Sequence, residues 1–156
     1  MSRTLPYLAE LQPEFFIEVS PQLAEERGLE NGGWATVVTA RAAVEARVLV
    51  TERIRPLKIG GRIVHQVGVP YHWGSRGIST GDPGNDLLGV TMDPNTHIQE
   101  SKAATCDIQP GRRPRGAALV EYVEDYRRRA GVRSGIMPVG GRVAVEASNG
   151  DASPGS

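Results

Sequence analysis

Trp34-Ala35-Thr36-Val37-Val38-Thr39-Ala40, followed three residues later by Val44-Glu45-Ala46-Arg47-Val48-Leu49-Val50-Thr51, is the stretch that decides the fold. Both runs alternate, both are rich in strand formers, and the tight connection between them makes the pair read as a β-hairpin. Upstream, the turn Glu30-Asn31-Gly32-Gly33 feeds the first strand, and residues 14–19 form a shorter apolar run read as another strand. Between them Ser20-Pro21 opens a helix, because Ser20 can accept from orphan amides and Pro21 suits the first helical position. Gly28 is placed to end that helix in a left-handed conformation. Downstream, residues 63–67 give a further strand. Residues 68–101 lose all sustained period and read as a long loop with strand fragments near Leu87-Leu88 and Val90. Residues 103–108 restore a strand, which places Cys106 mid-strand and in the core. Residues 117–130 read as a helix with Leu119, Val123 and Tyr126 on one side. Glu124 with Arg128 and Asp125 with Arg129 fall four apart on it.

Composition narrows the function classes. The chain has 156 residues, room for one ordinary domain, with 18 basic and 18 acidic side chains. Charge balance of that kind supplies no overall attraction to nucleic acid or anionic membranes. The 19 glycines and 11 prolines suit a turn-rich, β-heavy domain. A single cysteine excludes an internal disulfide and any cysteine-held zinc or iron–sulfur centre. No apolar run reaches the ~18–20 residues of a membrane span, so no direct membrane insertion is expected. The amino terminus lacks the apolar core of a secretory signal. A cytoplasmic location is therefore expected, although a signal borne by a partner would export the assembly. Residues 1–12 read as a connector, 13–110 as the main domain, 111–131 as a helical extension and 132–156 as a disordered tail.

Two loop stretches could carry chemistry. Val69-Pro70-Tyr71-His72-Trp73-Gly74-Ser75-Arg76-Gly77 directly follows a strand. Its glycines would let backbone amides approach a flat ligand and Trp73 offer an aromatic face; equally, Trp73 could cover the end of the barrel. The second comprises Gly84-Asn85-Asp86-Leu87-Leu88 and Asp93-Pro94-Asn95-Thr96-His97-Ile98-Gln99-Glu100-Ser101-Lys102. Asn, Thr and Gln offer paired donors and acceptors for the edge of a purine or pterin, and Lys102 a mobile charge for a phosphate oxygen. Asp-Pro and Asn-Thr are also ordinary turn formers. Arg112, Arg113 and Arg115, with the later Arg127-Arg128-Arg129, read as a solvated, dipole-matched basic face.

Taken in order, these pieces resemble the carboxy-terminal molybdopterin-dinucleotide-binding domain of formate dehydrogenase large subunits, in the dimethyl sulfoxide reductase superfamily. The resemblance rests on residues 13–24, on Gly28-Leu29-Glu30-Asn31-Gly32, on Val50-Thr51-Glu52-Arg53-Ile54-Arg55-Pro56-Leu57, and on His65-Gln66-Val67-Gly68-Val69-Pro70-Tyr71-His72-Trp73-Gly74. Asp93-Pro94-Asn95-Thr96 and Lys102 complete it, so it runs over roughly residues 5–110. It implies a β-rich (α+β) double-psi β-barrel of the aspartate-decarboxylase-like kind, with short peripheral helices. It also implies a molybdopterin guanine dinucleotide cofactor carrying molybdenum or tungsten. His72, Trp73 and Gly74 would lie against one pterin dinucleotide, and Asn85, Asn95, Thr96, Gln99 and Lys102 would line the same pocket. Arg41 matches a family Arg, with Ala42 where Gly is usual, and Asp86 stands where Thr is commoner.

The same resemblance implies what lies elsewhere: the metal-ligating residue, the catalytic His and Arg, and the iron–sulfur cluster. The expected partners are the remaining domains of the formate dehydrogenase large subunit and, through them, an iron–sulfur electron-transfer subunit. No catalytic or metal-binding residue is expected in this chain. A cofactor-free barrel with a structural or protein-interaction role is the alternative. A third is self-cleavage at Gly74-Ser75, as in aspartate decarboxylases.

Overall fold

The computed structural model describes residues 5–74, 78–90, 92–99 and 102–132. The expected disordered tail falls almost wholly outside them, as does Ser75. Within them the fold is β-rich, with a few short helices. The predicted hairpin forms as β2 (Trp34–Val38) and β3 (Ala43–Val50), antiparallel, with Trp34 opposite Arg47 and Val38 opposite Ala43. Strand β1 (Phe16–Val19) lies parallel to β3 on its other side. The five-stranded sheet is completed by β6 (Val67–Gly68) beside β1 and β7 (Asp107–Pro110) beside β2, in the order β6-β1-β3-β2-β7.

Helix α2 (Pro21–Arg27) connects β1 to the hairpin, as the Ser20-Pro21 signal predicts. The Ser20 hydroxyl accepts from the Leu23 amide at 3.1 Å, and Gly28 closes the helix at φ 63° and ψ 38°. A short helix, α1 (Pro6–Leu11), occupies the stretch read as a connector and buries Ala9. Helix α3 (Ala117–Arg129) lies where the apolar spacing puts it, with Val123 and Tyr126 buried. Its ion pairs differ in part: Glu124 pairs with Arg127 rather than Arg128, while Asp125 takes both Arg128 and Arg129.

Other departures have local causes. The run 63–67 divides, because β5 (Arg62–Val64) pairs back on β4 (Leu57–Ile59) as a separate hairpin before β6 joins the main sheet. Leu57, Ile59, Ile63 and Val64 of this hairpin are all exposed. Leu87 ends a 3-10 turn (Gly84–Leu87) instead of starting a strand, and Val90 has no regular structure. Of the strand predicted over 103–108 only Asp107 and Ile108 are paired, in a strand that runs on to Pro110, so Cys106 precedes the strand and is exposed rather than part of the core.

Strand β3 has work on both faces. Val44, Ala46 and Val48 face the main core with Ile17, Val19 and Val37, all nearly inaccessible. On the opposite face Ala43 meets Val123 and Tyr126 of α3. Next on that face comes Glu45, only 6% exposed. Its Oε1 accepts from Arg112 at 2.7 and 3.1 Å and from Arg115 at 2.7 Å, and its Oε2 accepts from the Arg113 amide at 3.1 Å. Asp82 reaches the same place: it accepts from the Glu45 amide at 2.9 Å and from the Arg113 guanidinium fork at 2.7 and 2.9 Å. Arg112 and Arg115 keep more than half of their side chains in solvent, as expected of a basic face, but all three arginines also point charge at Glu45 or Asp82. They neutralise a carboxylate that the strand period carries inward. Arg47 and Arg112 also lie over the Trp34 ring, 4.2 and 4.4 Å from its centroid.

The long loop is packed onto this framework by close glycine contacts. A Cβ on Gly81 (φ 134°) would fall 2.4 Å from the Phe15 Cβ, and one on Gly74 (φ 76°) would fall 2.4 Å from the Gly81 carbonyl oxygen. Gly81→Ala is expected to destabilise the chain by about 3 kcal/mol or more, from combined backbone strain and overpacking. Urea unfolding checks this, and a loss below ~1 kcal/mol would contradict the packing.

Burial alone would raise the carboxyl pKa values of Glu45 and Asp82, but hydrogen bonds and charge from the arginines hold both below their ordinary 4.5 and 3.8. The unfolded chain therefore takes up these protons first as pH falls. The stabilisation is complete above the ordinary values and disappears as pH drops through the lowered native ones. Urea midpoints measured from about pH 6 down to about pH 3 should fall, and Asp82→Asn should flatten that fall.

Candidate functional site

Val67, Val69 and Tyr71, the 3-10 turn at Gly84 and Leu87, and the approach to β7 at Lys102 and Ala104 meet the end of β2 around a small cleft. Its floor is Val37 and Val67, and its walls carry Tyr71, Leu87 and Lys102, enclosing about 100 Å³. A wider recess of about 430 Å³ adjoins it, sharing Thr39, Leu87 and Ala104 and bringing in Arg41 and Arg127. Thr39 is the joint between the two. Its hydroxyl donates to the Leu87 carbonyl at 2.8 Å and accepts from the Arg41 amide at 3.2 Å. The Thr39 amide meanwhile donates to the Ala42 carbonyl at 2.9 Å. The hairpin turn and the 3-10 turn are thus locked by one buried side chain. Arg127 clamps the turn from α3, donating to the Ala40 carbonyl.

The predicted site residues fall into three groups. Lys102 lines the cleft, and Asn85 lies on the 3-10 turn whose Gly84 and Leu87 help form it. Trp73 goes inward: it is 4% exposed and packs 5.9 Å from the Phe15 ring and edge-on at 5.8 Å to Phe16. Its indole holds the loop rather than offering a face to solvent. Gly74 supplies the close backbone crossing beneath it, and His72 is exposed at φ 79° beside Tyr71. Asn95, Thr96 and Gln99 lie apart from the cleft on an exposed turn. There Asp93 Oδ1 accepts from the Asn95 and Thr96 amides, each at 2.8 Å, and from the Thr96 hydroxyl at 3.1 Å. These bonds hold the Asp93 carboxyl below its usual range. Met92 bridges Gln99 at the base of the turn.

Nothing in the local sequence marks the places of Thr39 and Arg127 at these cavities, since a strand-end Thr and a helix-end Arg have no distinguishing pattern. Cys106 borders the cleft, and although the residue as a whole is exposed, desolvation of its thiol and then the charge of Asp107 push its pKa up. A protonated thiol of that kind is a poor nucleophile. Among the described residues no group of three or more His, Cys, Asp or Glu is arranged to hold a metal ion, and no helix is long and apolar enough to cross a membrane.

Lys102 brings one cation to the cleft, Arg41 and Arg127 line the adjoining recess, Arg127 paired with Glu124, and Thr39 orders the turns between them. The smaller cavity falls below the ~300–1,000 Å³ of a pocket that encloses its ligand, so a dinucleotide would be only partly covered here.

A family model described as Molydopterin dinucleotide binding domain matches residues 1–105. Formate dehydrogenase 2 subunit alpha (cytochrome c-553) of Nitratidesulfovibrio vulgaris is 43% identical over 108 residues, covering 69% of this chain and 11% of that protein. Formate dehydrogenase subunit alpha of Megalodesulfovibrio gigas is 41% identical over 109 residues, again 69% of this chain and 11% of that protein. The nitrate-inducible formate dehydrogenase major subunit of Escherichia coli is 38% identical over 99 residues, 63% of this chain and 10% of that protein. The chain thus spans about a tenth of the length of these curated relatives. With the family model covering most of its length, this chain belongs to the molybdopterin dinucleotide-binding domain family.

Proposed function

We propose that this chain is the cofactor-holding part of a formate dehydrogenase large subunit, gripping the guanine dinucleotide arm of a bis-molybdopterin cofactor. The observation that carries the reading is the cleft beside the 3-10 turn, lined by Lys102, together with the adjoining recess, lined by Arg41 and Arg127, that shares its Thr39 and Leu87. Lys102 and Arg41 would meet the diphosphate, and Asn85 the base or ribose edge. Asn95, Thr96 and Gln99 are assigned to the outer margin, where the dinucleotide leaves the cleft. His72 is assigned to the same margin, while Trp73 and Gly74 set the height of that loop. A double-psi barrel is the proposed completion of the sheet, with parallel β1 and β3 at its centre.

When bound, the molybdenum or tungsten group would supply the redox chemistry by which formate yields carbon dioxide, a proton and an electron pair. This chain's residues bind and orient the nucleotide end and keep water from the buried floor of the cleft. The metal-ligating and cluster-binding residues are assigned to the other nine-tenths of the subunit. An iron–sulfur electron-transfer subunit is the proposed partner beyond it. The exposed Leu57, Ile59 and Ile63 on the β4–β5 hairpin support a protein neighbour on that side.

Lys102→Ala is expected to weaken binding of guanosine diphosphate to the full chain by roughly five- to tenfold at low salt, and by less as salt screens the contact. Isothermal titration calorimetry checks this. An unchanged dissociation constant would remove Lys102 from the site, and no binding by the unaltered chain would count against the nucleotide reading itself.

A further inference from the structure

The family match ends at residue 105, yet the arginines holding the loop beside the cleft lie at 112–115. That loop is held at both ends. At one end the Thr39 hydroxyl donates to the Leu87 carbonyl. At the other, Asp82 accepts from the Glu45 amide of β3 and from the Arg113 fork, immediately before Pro83 caps the 3-10 turn. Glu45 in turn fixes where the arginines stand, since it accepts from the Arg113 amide as well as from Arg112 and Arg115. The returning segment is seated on β2 too: Gly111 donates its amide to the Trp34 carbonyl at 2.7 Å, and its own carbonyl accepts from Thr36 Oγ1 at 3.0 Å.

A buried carboxylate with arginine partners is an uneconomical way to gain stability, because a well-packed apolar side chain at the Glu45 position would serve as well or better. What the Arg113–Asp82 fork provides is direction: two parallel bonds, one to each carboxylate oxygen, fix a loop's position more tightly than contact between methyl groups does. We propose that Asp82 and Glu45, locked by Arg112, Arg113 and Arg115, are positioning residues for the cofactor cleft. They set the height of the 3-10 turn that carries Asn85 and Leu87. The segment that follows β7 thereby takes part in holding the dinucleotide. This inference rests on the reading that the cleft takes a nucleotide, and it adds the residues that shape it without touching the ligand.

The test uses the full 156-residue chain with guanosine diphosphate as probe. It compares the unaltered protein with Asp82→Asn, Arg113→Lys and Arg129→Gln. Arg129 pairs with Asp125 and Asp107, outside the clasp and the cleft, and so controls for the loss of an arginine elsewhere. Calorimetry gives the dissociation constant, amide hydrogen exchange gives the opening of residues 84–88, and thermal unfolding gives the overall stability. Asp82→Asn should raise the dissociation constant about tenfold and speed exchange at 84–88 by a similar factor. Arg113→Lys keeps the charge but loses the fork, and should fall between Asp82→Asn and the unaltered chain. Arg129→Gln should leave binding and loop exchange unchanged even where it lowers the melting temperature. Unchanged exchange at 84–88 in Asp82→Asn would overturn the inference. So would binding losses that simply follow melting temperature across all three variants. Failure of the unaltered chain to bind sinks the nucleotide reading and this inference with it. Binding that survives Asp82→Asn intact sinks this inference alone.

Discussion

Strand β3 has no solvent face over its first half, and much of the molecule is a response to that constraint. Alternate residues of a strand point to opposite sides, so Val44, Ala46 and Val48 can fill one core while Ala43 and Glu45 must be covered separately. Helix α3 covers Ala43. The turn at 111–115 and the loop at 81–82 cover Glu45, and because Glu45 is charged they must bring cations with them. A single inward carboxylate thus ties the end of the sheet, the long loop and the segment leading to α3 into one structure.

The long loop depends on the same framework. It crosses itself and the chain before β1 where Gly74 meets Gly81 and Gly81 meets Phe15, approaches that leave no room for a Cβ. Trp73 seals the crossing from inside, edge-on to Phe16. A loop held this way can present backbone and short polar groups at a fixed height. The cleft beside it is small, about 100 Å³.

Some of the candidate site was readable from residue chemistry and some was not. Lys102 lies in the cleft, and Asn85 is on the turn beside it. Trp73 is buried beside Phe15 and Phe16, a packing that no feature of its own loop sequence specifies. Asn95 and Thr96 are first of all the amides that Asp93 gathers into a turn, the ordinary chemistry of that sequence. Nothing near Arg112, Arg113 and Arg115 in the chain shows that Glu45, some seventy positions earlier, needs their charge, even though Arg112 and Arg115 stay largely exposed as a basic face would.

The sequence by itself determined the elements whose causes are local. The hairpin follows from two alternating runs around a short link, α2 from the Ser20 cap and the Gly28 stop, and α3 from the spacing of Leu119, Val123 and Tyr126. Family membership was legible for a similar reason, since ordered motifs survive in one dimension. Only the tertiary structure decided which strands pair in parallel, which arginines meet buried carboxylates, and which loop residues turn inward. Those outcomes depend on groups far apart in the chain competing for the same enclosed space. Burial converts such a meeting from an exposed charge or ring, with little consequence for stability, into a contact that fixes the fold.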